Sequence, residues 1–131
     1  MSTPGALIGI GLDTVDVPRF GMVLGRRPGL VERLFSEGER AYSLSRANPA
    51  PSLAARFAAK EATMKSLGVG LGAFEWLDVE VVRLESGAPR LRVSGRALAL
   101  SEERGVTSWE ISLTHTATVA SAVVAALGAP G

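Results

Sequence analysis

The sequence predicts an α+β fold, a mostly antiparallel sheet packed against helices. Three stretches carry that prediction. Ser52 to Gly72 reads as a long helix with both ends written into it. Leu7 to Val15 alternates apolar residues with glycine and aspartate, as a half-buried strand does. From Leu77 onward the chain is mostly strand, interrupted by a hairpin-like turn at Glu85-Ser86-Gly87-Ala88-Pro89 and one short helix. At 131 residues the chain is long enough for one real core and too short for two, so a single domain over 1–131 is expected.

In chain order, the first strand sends Ile8, Ile10 and Leu12 to one face and Gly9, Gly11 and Asp13 to the other. Two glycines beside an aspartate clear space for another backbone or a ligand. Asp16 and Pro18 open a helix through Phe20, Val23 and Leu24 towards Pro28-Gly29. Gly21 and Gly25 weaken it, so packing must support it. Ser36-Glu37-Gly38-Glu39 is a capping box that starts a helix running to about Arg46. Asn48 to Pro51 reads as a loop, with Ser52 as N-cap of the long helix and Gly68 as its left-handed end. Within that helix Leu53, Phe57 and Met64 share a narrow apolar stripe. Glu61 lies about 40° round from Phe57, with Lys65 beyond. Strands at Leu77–Leu84 and Leu91–Val93 flank the turn, and Arg96 to Arg104 is a short amphipathic helix. Trp109, Ile111, Leu113 and His115 alternate inward on a further strand. Thr116 to Thr118 then turns the chain into the last one, Val119 to Leu127. That strand is apolar or small on both faces and needs cover on both.

Composition narrows the chemistry. With 47% hydrophobic and 21% charged residues the chain is globular rather than disordered. The absence of cysteine excludes a disulfide framework and any thiolate metal site, and is consistent with a reducing compartment. His115 is the one histidine, so no multi-histidine zinc centre forms within a chain. Any metal would be held by carboxylate oxygen, which means magnesium, manganese or calcium. The first residues lack a basic n-region and the apolar tail is too short to span a bilayer, so a cytoplasmic protein without membrane attachment is expected. Arg19, Arg26, Arg27 and Arg33 face only Glu32 between positions 19 and 34, a patch suited to an acidic protein or a polyphosphate. Scarce lysine and the lack of interleaved aromatics argue against nucleic acid.

Glu61 and Lys65, taken alone, fit an i,i+4 pair on a half-solvated face. Asp13 and Glu61 on two rigid elements also suit Mg²⁺, which takes one or two carboxylates plus phosphates and water. A lysine one turn from such a ligand neutralises charge on a phosphoryl leaving group. Gly68, Gly70 and Gly72 offer backbone amides at a helix exit, without the dipole benefit of a P-loop.

Gly11-Leu12-Asp13, the F-x-x-K-E-x-x-K element from Phe57 to Lys65, and Ser112-Leu113-Thr114-His115 resemble the signature motifs of the 4′-phosphopantetheinyl transferases. Length and spacing point to the short, holo-acyl-carrier-protein synthase type, and the likeness runs from Ile8 to Val124. The resemblance implies Mg²⁺- or Mn²⁺-dependent transfer of 4′-phosphopantetheine from coenzyme A to a serine of an apo acyl carrier protein, releasing adenosine 3′,5′-bisphosphate. It implies that Asp13 and Glu61 hold the metal against the pyrophosphate and that Lys65 steadies the leaving group. Glu61, directly or through a bound water, would deprotonate the serine. Arg56, Lys65, Gly68, Gly70, Pro89, His115 and Thr116 match positions that line the nucleotide pocket. Arg19, Arg26, Arg27 and Arg33 match the surface that docks the carrier. A homotrimer with active sites between protomers is implied as well. Two positions depart from the pattern: Asp16 stands where Glu is frequent, and Ala88 replaces a basic residue before the turn proline. Carriers of fatty acid, polyketide and peptide synthases all remain open. A catalytically silent subunit binding CoA or carrier is the alternative of another class; the presence of Asp13, Glu61 and Lys65 together favours the enzyme.

Overall fold

The glycine face of the first strand is where the chain closes on itself. In the computed structural model, which describes residues 5–130, β1 (Leu7–Asp16) pairs antiparallel with β5 (Val119–Gly128). β5 pairs in turn with β4 (Val106–His115), giving the order β1-β5-β4. Helix α4 (Ala50–Ser66) packs on this sheet. Gly11 and Gly9 approach it so closely that a Cβ on either would collide with the carbonyl oxygens of Ala62 and Ser66 respectively. The space cleared by the glycines is thus filled by helix backbone. Ala120, Ala122, Val124 and Ala126 of β5 are buried on the same side. On the opposite face Ile10, Leu12, Val119 and Val123 are exposed, with Leu12 directly across from Val123.

Thirteen of the 17 residues of α4 are buried, so the stripe of Leu53, Phe57 and Met64 describes only one of its contacts. The helix also starts earlier than its sequence suggests. Ala50 opens it, Pro51 occupies its first turn, and Pro49 provides no side-chain cap. Ser52 is therefore not the cap; its hydroxyl meets those of Ser43 and the Arg56 guanidinium, each at 2.8 Å. Gly68 ends the helix with φ +68°, as the pattern predicts.

The remaining elements pack round α4. Helix α1 (Val17–Arg26) is capped by Asp16, whose Oδ1 accepts from the Arg19 amide at 2.8 Å. Its Phe20 ring stacks on Phe57 at 5.0 Å, and Phe57 meets Trp76 at 5.1 Å. Helix α2 (Leu30–Leu34) is a five-residue segment that the sequence pattern does not mark. Helix α3 (Glu37–Leu44) begins at the expected capping box and ends two residues before Arg46. β2 (Val79–Arg83) and β3 (Pro89–Val93) form a separate antiparallel hairpin. The strand expected from Leu77 starts later, because Trp76–Asp78 winds into a 3₁₀ turn. Asp78 holds that turn by accepting the amides of Glu75, Arg96 and Ala97, which ties it to α5 (Gly95–Glu103). Among the described residues no helix is long and apolar enough to cross a membrane.

A buried ion pair locks α4 to α3 and β2. Lys60 Nζ lies 2.9 Å from Glu39 Oε1, both side chains fully buried, and donates as well to the carbonyls of Trp76, at 3.1 Å, and Val79. Glu39 also accepts the Ser36 and Val81 amides, each at 3.0 Å. Burial pushes the Lys60 ammonium below its usual pKa, and Glu39 pulls it back. Removing one partner strands the other charge, so Lys60→Met is expected to cost about 3–5 kcal/mol in urea unfolding. Lys60→Met/Glu39→Gln should recover part of that loss, since glutamine still accepts an amide and leaves no buried charge. If the two variants unfold at the same urea concentration, the pair is not what anchors the helix.

Candidate functional site

Two clusters of polar side chains lie on opposite faces of α4. At its C-terminal end Glu61 and Lys65 face β1. Lys65 Nζ donates to Asp13 Oδ1 and to the Leu12 carbonyl, each at 3.0 Å. Among the described residues Lys65 is not bridged to Glu61, so the simple i,i+4 pair is not formed. The Lys65 side chain remains 53% exposed and that of Asp13 only 12%, which leaves the ammonium accessible to an anion. Burial, and then the negative charge of Asp13, push the Glu61 carboxyl above its usual range; Lys65 works in the other direction. Two carboxylates crowded enough to repel fit a hard divalent cation. The described residues include no group of three or more metal-ligating side chains, so phosphate and water would have to complete its shell. Gly68 and Gly70 are exposed just beyond this end of the helix.

At the N-terminal end, a cavity of about 260 Å³ opens between α3, α4 and the β2–β3 hairpin. Arg56 and Ser52 of α4, Pro89 of the hairpin and His115 at the end of β4 line it. Arg56 is buried, donates through Nη1 to Ser52, and leaves Nε without a partner among the described residues. Burial lowers its pKa, with Glu39 opposing. His115, expected to point inward, is instead exposed on the cavity wall. Thr116 does not line the cavity. Its Oγ1 accepts the amides of Thr118 and Val119 and so builds the β4–β5 turn. Tyr42, Arg46 and Arg83 also line this cavity and were not singled out from the sequence. Tyr42 lies in the last turn of α3 and Arg46 two residues past its end, and Arg83 lies directly across the hairpin from Pro89. Counting pairs outward from the turn would have found Arg83.

The residues assigned by resemblance to one nucleotide pocket are therefore divided within a chain. Arg56 and Lys65 are nine positions apart on α4, which places them roughly half a turn round and about 13 Å along the axis from each other. Arg19, Arg26, Arg27 and Arg33 are all exposed. Arg27 and Arg33 belong to an apolar groove of about 490 Å³ that Phe20, Phe57, Leu71 and Trp76 also line. Arg19 and Arg26 lie outside that groove's lining.

Comparison with known proteins places this geometry in a family. The holo-[acyl-carrier-protein] synthase of Streptomyces avermitilis is 50% identical over 123 residues, covering 94% of this chain and 99% of that one. The protein of the same description from Moorella thermoacetica is 45% identical over 113 residues, 86% of this chain and 88% of its own. The crystal structure of Helicobacter pylori holo-[acyl-carrier-protein] synthase in complex with coenzyme A superposes with a TM-score of 0.78 at 29% identity, covering 89% of this chain and 98% of that one. Since the family model of the 4′-phosphopantetheinyl transferase superfamily also matches residues 9–126, nearly the whole structure described above, the chain belongs to that superfamily.

Proposed function

We propose that this protein is a holo-acyl-carrier-protein synthase. It moves 4′-phosphopantetheine from coenzyme A to a serine of an apo acyl carrier protein and releases adenosine 3′,5′-bisphosphate. The observation that carries the reading is the Asp13–Lys65–Glu61 corner, present in a chain half identical to holo-[acyl-carrier-protein] synthases over nearly its full length. Asp13 and Glu61 would hold Mg²⁺ or Mn²⁺ against the CoA pyrophosphate. An ion bound there supplies Lewis-acid stabilisation of the charge on the reacting phosphates. Glu61, directly or through a bound water, takes the proton of the carrier serine. The serine oxygen then attacks the pantetheine-bearing phosphorus, and the bond to the bisphosphate leaving group breaks. Lys65 turns its exposed ammonium from Asp13 to that leaving phosphate.

The opposite faces of α4 support an assembly. A coenzyme A seated on Lys65 cannot also lie in the Arg56 cavity of the same chain, because the buried helix stands between them. A second copy resolves this if its cavity faces the first copy's corner. The exposed apolar face of Ile10, Leu12, Val119 and Val123 lies on the strand that carries Asp13 and on its neighbour, where such a copy would be covered. We therefore retain a homotrimer with shared sites, Arg56, Pro89 and His115 coming from one protomer and Asp13, Glu61, Lys65, Gly68 and Gly70 from the next. The lack of cysteine fits a cytoplasmic setting.

Asp13→Asn and Glu61→Gln should each abolish most turnover because each removes an anionic ligand, and a chelator should do the same by removing the cation. Near-wild-type turnover in either variant would sink the metal assignment. The raised pKa of Glu61 means that the folded state favours its protonated form. Its contribution to stability is present at low pH and lost as pH rises through the folded-state value. Without metal, Glu61→Gln should therefore gain in melting temperature relative to wild type as pH is raised through that range; a constant difference would contradict the crowding.

The arginines of the α1–α2 segment should recognise the acidic carrier without touching coenzyme A. Exposed pairs contribute only about 0.2–1 kcal/mol each and act chiefly on encounter rate. Arg26→Glu/Arg27→Glu should raise KM for the carrier several-fold at low salt and leave KM for CoA nearly unchanged, with the gap narrowing as salt is added. Equal carrier KM values at low salt would make these arginines a solvated face.

A further inference from the structure

Three guanidinium groups gather round one phenol ring in the cavity at the N-terminal end of α4. Those of Arg56 and Arg83 each lie 4.5 Å from the centroid of Tyr42, and that of Arg46 lies 5.4 Å from it. Among the described residues none of the three is in a salt bridge. The buried Glu39, which attracts Arg56 from a distance, is already committed to Lys60. Arg46 and Arg83 repel Arg56, and its buried Nε has no acceptor. Gathering like charges in a concave site is unfavourable until a multiply charged anion enters it. A phosphate monoester, with two negative charges and three acceptor oxygens, matches three guanidiniums better than a carboxylate or a phosphodiester.

The three arginines are held in different ways. Arg56 is buried and fixed by Ser52, whose hydroxyl also meets Ser43. Arg83 is exposed and comes from the other side of the cavity, on β2 opposite Pro89. It is the only cation that the β2–β3 hairpin contributes to the lining, since Ala88 at the turn carries no charge. Gly87, at φ +89°, leaves room for it: a Cβ there would stand 3.4 Å from Arg83 Nη2. The Tyr42 ring makes a cation–π contact with both Arg56 and Arg83 and so ties the position of each to its own.

We propose that Arg83 and Tyr42 are specificity-determining residues that read the terminal phosphate monoester of the nucleotide, the 3′-phosphate of coenzyme A. Arg83 contacts the phosphate, and Tyr42 is a positioning residue that presents Arg83 and Arg56 at a spacing the phosphate can bridge. The assignment rests on the reading that this cavity receives the nucleotide end of coenzyme A.

The test compares coenzyme A with dephospho-CoA, which differs only in lacking that phosphate. Arg83→Ala should reduce the preference for CoA, as the ratio of kcat/KM values, by roughly tenfold, with the change in KM for CoA. Tyr42→Leu should reduce it similarly, and Tyr42→Phe, which keeps the ring face, should restore it. Calorimetry with adenosine 3′,5′-bisphosphate and with AMP gives the same comparison without turnover: Arg83→Ala should weaken the bisphosphate and leave AMP nearly unaffected. Equal losses on CoA and dephospho-CoA, or no loss on either, would overturn the proposal while leaving the transferase reading intact. A wild-type protein that transfers phosphopantetheine but binds the bisphosphate no better than AMP would overturn it as well. Failure of the wild type to transfer phosphopantetheine at all would overturn both.

Discussion

Gly9 and Gly11 let the backbone of β1 lie against the backbone of α4, and the rest of the site takes its position from that contact. Asp13 stands two residues beyond Gly11 on the same face of the strand, so it meets the helix one step along, where Lys65 reaches it at 3.0 Å. A Cβ at Gly11 would force the strand off the Ala62 carbonyl and carry Asp13 away from Glu61. The motif G-x-D is thus a packing requirement joined to a chemical one. Alanines on β5 and α4 extend the same close approach across the sheet.

Once β1 and β5 occupy one side of α4, its other faces are set by elimination. The Lys60–Glu39 pair claims the side towards α3 and β2 and excludes water from it. Such a pair is a weak source of net stability but a strong constraint on orientation, because a rotated helix would strand both charges in the core. Arg56, one turn before Lys60, is consequently aimed at Tyr42 and the hairpin, and Glu61, one residue after it, is aimed at Asp13. The electrostatic character of the two ends differs accordingly. One carries paired carboxylates with a single exposed ammonium; the other gathers three guanidiniums and a histidine. In the function proposed above, the first would take the pyrophosphate of coenzyme A and the second its terminal phosphate monoester.

Much of this was legible in the sequence where a local rule had one answer. The capping box at Ser36–Glu39, the Asp16 cap, the positive φ of Gly68 and the two-faced apolar character of the last strand each follow from chemistry within a few residues. The helix start at Ala50 was not, because Ser52 carries a good capping oxygen that tertiary contacts with Ser43 and Arg56 take over. Leu77 likewise belongs to an apolar run, yet Asp78 bends the chain there to cap α5, accepting amides eighteen and nineteen residues away. Glu61 and Lys65 stood out by type and spacing. Lys60, in the same motif, did not reveal that its partner is Glu39 or that it is wholly buried, and Tyr42 and Arg83 became visible only when α3 and the hairpin were brought together.

The central claim is that one coenzyme A is held by the Arg56 face of one protomer and the Glu61 face of another. Mixed assemblies of two separately impaired variants, Arg56→Met and Glu61→Gln, test it most directly. If sites are shared, some interfaces in a mixed assembly pair an intact cavity with an intact corner. Random mixing at equal amounts should then restore about a quarter of wild-type turnover from two nearly inactive parents. A mixture no more active than the average of its parents would contradict the account.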